Sequence, residues 1–245
     1  MGTDKLDIQA LIASGPWQCG CGKRHAAPLR VYARGTDALR QLPDALRMLH
    51  ASPCPQLVFD PNTYAVAHQR VTAVLKEAGI PWHQTVLSQS HPHPDEHTVG
   101  AMVMDLHPES NIMVAVGSGV LNDCCKLVGF ASGKPSVVVA TAPSMDGYAS
   151  NLSSMARGGI KVTIFNQCPD VIIADTALVA TAPDHMLWAG LGDMLAKYVA
   201  LCEWRISALV TGEYYCEAVA DLMRKAVQGI VEKADTLMSR DHAAL

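Results

Sequence analysis

No long run of lysine and arginine occurs in this sequence, and its formal net charge is −4 at neutral pH. Both facts argue against a nucleic-acid binder. No basic-then-apolar leader opens the chain, and no apolar stretch is long and uniform enough to cross a bilayer. The expectation is therefore a cytoplasmic protein without a membrane span. No internal repeat is evident. Eight cysteines in 245 residues do not form a disulfide framework. Several of them (Cys124, Cys125, Cys202) sit inside apolar helical patterns, where reduced, buried thiols are expected. What is present is 49% hydrophobic and 17% charged residues, the balance of a globular chain with a well-buried core.

The chain is organised around residues 111–150. An apolar run, 112–116, ends in Gly117-Ser118-Gly119; a helical pattern follows, then a second apolar run, 136–140. Runs of this length bounded by Gly and Pro suit strands buried on both faces. A helix between them makes a crossover, so the strands should be parallel. Gly117 and Gly119 let the chain turn sharply and let a ligand approach the backbone. The helix starting near Val120 then points unpaired N–H groups and its positive dipole end at that ligand, as a pyrophosphate requires. The second run empties into Thr141-Ala142-Pro143-Ser144-Met145-Asp146-Gly147-Tyr148. Both loops leave the carboxyl ends of strands, where open α/β sheets bind ligands.

Elsewhere, helices are expected over 4–14, 37–49, 65–78 and 95–106, and strands at 31–32, 56–59, 82–87 and 171–174. Residues 161–165 alternate and read as half of a hairpin. Asp60 follows the 56–59 strand. It can accept from an adenosine ribose hydroxyl or cap the next helix; Asn62 or Thr63 could do the capping and leave it freer. Cys19, Cys21 and His25 are candidate metal ligands. Zinc needs about four ligands and a wider pair spacing than C-x-C, so a tight Gly/Cys hairpin is preferred. The segment His91-Pro92-His93-Pro94-Asp95-Glu96-His97 reads as a solvated loop leading into a helix. From about residue 180 the composition turns helical. One long helix is expected over 183–209, broken only at Gly190-Leu191-Gly192, and another over 213–238. Asp193 and Lys197 lie one turn apart and can pair. The glycines before them suggest a kink or a close approach by another backbone or a ligand.

VAVGSGVLND, TAPSMDGYAS, AGLGDMLAKY and LVTGEYYC together resemble the sn-glycerol-1-phosphate dehydrogenases, of the iron-containing alcohol dehydrogenase and dehydroquinate synthase superfamily. The resemblance runs from WQCGCGKRH to the chain end. It implies an α/β fold: an N-terminal Rossmann-like parallel-sheet domain (1–180) followed by a partial all-helical domain (181–245). It implies the interconversion of dihydroxyacetone phosphate and sn-glycerol 1-phosphate with NAD or NADP, at a zinc or nickel ion. Gly117, Gly119, Asn122 and Asp123 match the pyrophosphate cradle, and Asp60 the ribose-facing acid. Thr141, Ser144 and Ser150 match the nicotinamide side. Asp146 matches a substrate-contacting acid and Asp193 the metal-ligand aspartate. The implied chemistry is direct hydride transfer, with the metal polarising the ketone oxygen.

Two positions depart from that pattern. Val120 stands where the family often has threonine. The family's metal site also uses two histidines from later helices, whereas this chain reaches Leu245 with only His242 after Asp193. The expectation is a helical part that is incomplete, with apolar faces of 184–209 and 213–238 uncovered, so that the chain self-associates, as a homo-oligomer, or rearranges. Three readings are held: the family's oxidoreductase; an NAD-binding remnant without catalysis; and a dehydroquinate-synthase-like lyase, against which TAPSMDGYAS and GEYYC argue.

Overall fold

The computed structural model describes residues 8–241. The central strands are short apolar runs with no polar face. β4 (Pro55–Phe59), β6 (Ile112–Gly117) and β7 (Ser136–Ala140) are buried along their whole length. Such strands need cover on both faces, and helical crossovers provide it. Together with β3 (Val31–Gly35), β5 (His83–Val86) and β10 (Val171–Asp175) they form a six-stranded sheet in the order β3-β10-β7-β6-β4-β5. Every pairing in it is parallel. The expected parallel α/β architecture is the observed one.

The pleat sorts the core. Ile112, Val114 and Val116 point into one apolar cluster with Leu57, Phe59, Val137 and Val139. Met113 and Ala115 point into the other, with Val58, Leu121, Cys124 and Val128. The first is covered by α2 (Leu42–Leu49) and α3 (Pro61–Glu77), which contribute Leu42, Leu46, Val71 and Leu75. The second is covered by α5 (Gly119–Ser132), whose buried Leu121, Cys124, Cys125 and Val128 recur at helical spacing. Each fully buried Leu, Val or Phe contributes about 1.5–3 kcal/mol. α5 stops at Gly133, which takes the left-handed conformation at φ 65° and returns its N–H to the Gly129 carbonyl. A shorter helix, α4 (Glu96–Met104), begins at Asp95, whose carboxylate accepts from Thr98 N–H at 2.9 Å.

Several sequence expectations need adjustment. The first helix is described over Ile8–Ala13 (α1); residues 4–7 of the expected helix, like His242, lie outside the described residues. The 37–49 helix is a 3-10 turn, Ala38–Gln41, running into α2. The 65–78 helix begins earlier, at Pro61, which suits a first helical position because its missing N–H would be unpaired there anyway. Residues 161–165 belong to β9 (Ile160–Phe165), paired antiparallel with β8 (Leu152–Arg157). Gly158 and Gly159, at φ 57° and 78°, form the two-residue turn between them.

A short helix, α6 (Thr176–Val179), follows β10, and from Asp184 onward the regular elements among the described residues are all helices: α7 (Asp184–Leu195), α8 (Lys197–Thr211), α9 (Glu217–Val231) and α10 (Ala234–Met238). Cys124 and Cys125 are buried as expected, whereas Cys202 is exposed, because α8 buries no residue. The long helix breaks at Ala196, not at Gly190-Leu191-Gly192. Gly190 is a packing residue. A Cβ there would lie 1.9 Å from the Pro143 carbonyl oxygen, so only glycine lets α7 approach that backbone. Among the described residues no helix is long and apolar enough to cross a membrane.

Candidate nucleotide site and its acidic neighbour

The neighbouring strands β6 and β7 release their chains at the same end of the sheet, and their loops are tied. Thr141 N–H donates to the Gly117 carbonyl at 3.1 Å. Gly117 closes β6 and Gly119 opens α5. Ser118, at the cap position of α5, makes no side-chain capping bond, so it does not occupy the helix's first N–H groups. Within the first turn the Asn122 side-chain Nδ2 is buried without a partner. Met145 lies against the loop: a Cβ on Gly119 would meet its sulfur at 3.2 Å. A ligand reaching the α5 terminus therefore displaces a flexible thioether, an inexpensive rearrangement. These open donors and the close-packed glycines fit a dinucleotide pyrophosphate.

The structure assigns other work to some of the expected cofactor residues. Asp123 turns one carboxylate oxygen to Lys126 Nζ at 3.0 Å and the other to Ser154 N–H at 3.1 Å, so it holds the β8–β9 hairpin. Ser150 spends its hydroxyl on Leu152 N–H at 3.0 Å, and its carbonyl accepts from Lys126 at 3.1 Å. Asp60 is the N-cap of α3. Its carboxylate accepts from Thr63 N–H at 2.9 Å while the Thr63 hydroxyl accepts from Asp60 N–H at 3.0 Å. The capping falls on Asp60 because a D-x-x-T box satisfies two backbone donors reciprocally, which neither Asn62 nor Thr63 achieves alone. Asp60 still ends the strand beside β6, the position an acid needs to face a ribose. Thr141 is buried, and Ser144 is half-buried in the same loop.

Lys126 escaped the sequence reading. It is fully buried, and its ammonium also reaches the Leu152 carbonyl at 2.5 Å. A buried ammonium needs a paired charge and acceptors on every side. Lys126 finds them in Asp123 and in the backbone that follows Tyr148, so it fixes the 141–152 segment to α5. The signal in sequence was the i, i+3 spacing of Asp123 and Lys126.

Asp146 and Asp193 converge. Asp146 N–H donates to the Asp193 carboxylate at 2.9 Å. Lys197 Nζ lies 2.7 Å from Asp146 and 3.6 Å from Asp193. Burial pushes the Asp146 carboxyl above its usual range, with the Asp193 charge adding to that push and Lys197 opposing it. Asp193 sits lower than usual: burial works against it, but the Asp146 N–H and Lys197 outweigh that effect. Two acids sharing one ammonium are thus driven apart in proton affinity. Lys197 is held up by both, against its own burial.

This cluster does not fit a transition-metal centre. A catalytic zinc takes about three protein ligands. Among the described residues, neither group of three or more metal-capable side chains includes Asp193, and Lys197 already sits between the two acids. A concavity of about 590 Å3, lined by Cys54, Ile80, His83, Glu109 and Asn111 among others, opens at the amino ends of β4, β5 and β6, opposite to the loops described here.

A family model described as iron-containing alcohol dehydrogenase matches residues 33–183, which span the sheet and both loops. The chain belongs to that family. The glycerol-1-phosphate dehydrogenase (NAD(P)+) of Halalkalibacterium halodurans is 34% identical over 227 residues, covering 90% of this chain and 56% of that protein. The protein of the same name from Methanosarcina mazei is 32% identical over 203 residues, covering 83% and 56%. The chain thus spans little more than half the length of these relatives. Glycerol dehydrogenase from Schizosaccharomyces pombe has a similar structure, with a TM-score of 0.75 at 20% identity over 86% of this chain and 54% of that one. NADH-dependent butanol dehydrogenase A from Thermotoga maritima gives 0.73 at 14% identity, over 90% and 59%. At those identities the two structures speak for the fold alone. The motif resemblance to glycerol-1-phosphate dehydrogenases is matched by relatives of that name, and the parallel α/β sheet by the iron-containing alcohol dehydrogenase-like folds.

Proposed function

We propose that this chain carries the nucleotide-binding part of an NAD(P)-dependent oxidoreductase that interconverts dihydroxyacetone phosphate and sn-glycerol 1-phosphate. The observation that carries the reading is the meeting of two loops at the carboxyl ends of β6 and β7, with Asp146, Asp193 and Lys197 beside them. Gly117, Gly119 and the first turn of α5 hold the pyrophosphate, and Asp60 faces the adenosine ribose with the carboxylate oxygen not used in capping. Thr141 and Ser144 line the nicotinamide side, while Ser150 supports that loop through its backbone. When bound, the nicotinamide supplies or accepts the hydride. The protein's part is to fix the cofactor's position and to exclude water. Asp146 and Lys197 offer a proton-holding pair for the substrate hydroxyls, and the ammonium offers positive charge to a phosphate ester.

The family description names iron, and the resemblance implies zinc or nickel. Asp193 offers one ligand for such an ion, and no step here passes through it because its described surroundings do not complete a site. That same observation favours a second reading, cofactor binding without turnover in this chain. The test is NADH oxidation by metal-free chain with dihydroxyacetone phosphate, adding back nickel, zinc and iron in turn. Substrate-dependent oxidation supports the oxidoreductase. NADH binding without oxidation supports the second reading, and absence of both defeats the proposal.

A further inference from the structure

The Gly/Cys hairpin expected at the N-terminal end is present. β1 (Trp17–Gln18) and β2 (Arg24–His25) pair over two residues each. Between them Cys19 N–H donates to the Lys23 carbonyl at 3.0 Å, and Gly22, at φ 84°, reverses the chain directly after Cys21. Strands this short have little stability of their own. Yet the hairpin is held against the start of α9, almost the whole chain away. Cys216, the buried residue preceding α9, makes no capping bond with its side chain and turns its sulfur to the hairpin instead.

We infer that Cys19, Cys21, His25 and Cys216 form a structural zinc site that fastens the N-terminal hairpin to α9. The four ligand atoms all lie within 4.8 Å of one another. Cys19 and Cys216 sulfurs are 3.6 Å apart; His25 Nε2 is 3.3 Å from the Cys21 sulfur and 3.4 Å from that of Cys216. With normal zinc bond lengths, a tetrahedron has S···S edges of about 3.8 Å and S···N edges of about 3.6 Å. The observed edges fit that figure and fall far outside the roughly 2.05 Å of a disulfide. Three thiolates and an imidazole suit a borderline-soft, tetrahedral divalent ion, and four protein ligands leave no open position, which makes the site structural.

The surroundings match an outer shell. The Tyr214 hydroxyl lies 3.1 Å from the Cys21 sulfur, placed to donate to a thiolate. Lys23 Nζ lies 3.5 Å from the centre of the Tyr214 ring and brings positive charge to a site whose zinc complex carries a net negative one. Trp17 packs beside the His25 ring at 5.5 Å between centroids. Loading displaces the cysteine thiol protons to solvent, so affinity rises with pH. The site lies outside residues 33–183 and shares no residue with the Asp146–Asp193–Lys197 cluster. It therefore stands or falls apart from the proposed function.

The test is anaerobic titration of the reduced, metal-free 245-residue chain with cobalt(II), followed by displacement with zinc. The expected result is saturation at one equivalent, with thiolate-to-cobalt charge-transfer bands and the intense d–d bands of a tetrahedral ion. Carboxylate ligands such as Asp193 cannot give the charge-transfer bands. Cys216→Ser should weaken binding by more than about 100-fold, beyond the loss of an outer-shell partner. Cys202→Ser should change nothing. Should Cys216→Ser fail to fold, Cys216→His decides: a tetrahedral spectrum with weaker charge transfer supports the site, and an unchanged spectrum overturns it. Absence of charge-transfer bands in the parent chain overturns it too. So does a Cys19–Cys216 disulfide found by peptide mapping of chain made in a reducing cytosol and alkylated at lysis.

Discussion

The sheet and the helices that follow it are built to different standards of burial. Every residue of β4, β6 and β7 is buried, and both sheet faces are covered. α8 has no buried residue at all, although Val199, Ile206, Leu209 and Val210 lie along it as exposed apolar side chains. The difference separates the part that carries most of the buried core from the part that packs loosely on it. The sheet is a rigid platform that holds two loops at its carboxyl edge. The helices meet those loops through few contacts: Gly190 on Pro143, and Asp193 with Lys197 on Asp146.

Five substitutions test this contrast. The largest effect is expected at Lys126→Met, which strands Asp123 and two backbone carbonyls. Loss of one partner of a buried ion pair costs about 3–5 kcal/mol, read as a fall in the urea midpoint. Phe59→Ala on the sheet should cost about 3–5 kcal/mol in the same assay, while Leu209→Ala, 75% exposed in α8, should stay within about 0.5 kcal/mol. Equal losses at Phe59 and Leu209 would abolish the contrast. Gly190→Ala should cost about 1–3 kcal/mol and loosen α7 from the 141–150 loop, seen as faster amide exchange in both. Asp60→Ala should cost about 1 kcal/mol by thermal unfolding from the lost cap; it should also weaken NADH binding, which a purely capping role would leave unchanged.

The two regions also differed in how far their sequence revealed them. Residues 111–140 were legible because a strand buried on both faces must be a short apolar run, and the helix between 117 and 136 had a clear period. β8 was not legible. Its sequence LSSMAR buries only Ser153 and Met155, so its alternation is too weak to stand out. The Gly158-Gly159 turn was the better signal. In the helical part, Gly190 read as a kink or a close approach by another backbone; the structure shows the close approach, and its partner, Pro143, is one that no local pattern encodes. The Asp146–Lys197 pair is of the same kind: each residue was visible, but their meeting depends on tertiary packing. Cys216 is the extreme case, since nothing near it in sequence points to Cys19, Cys21 and His25.

The proposed binding of a nicotinamide dinucleotide by the β6 and β7 loops can be measured by titrating the chain with NADH and following nicotinamide fluorescence, beside Gly119→Trp checked for an unchanged unfolding midpoint. The expected result is saturable binding at one site per chain, lost in the folded Gly119→Trp chain. No binding to the parent, or equal binding by the variant, would contradict it.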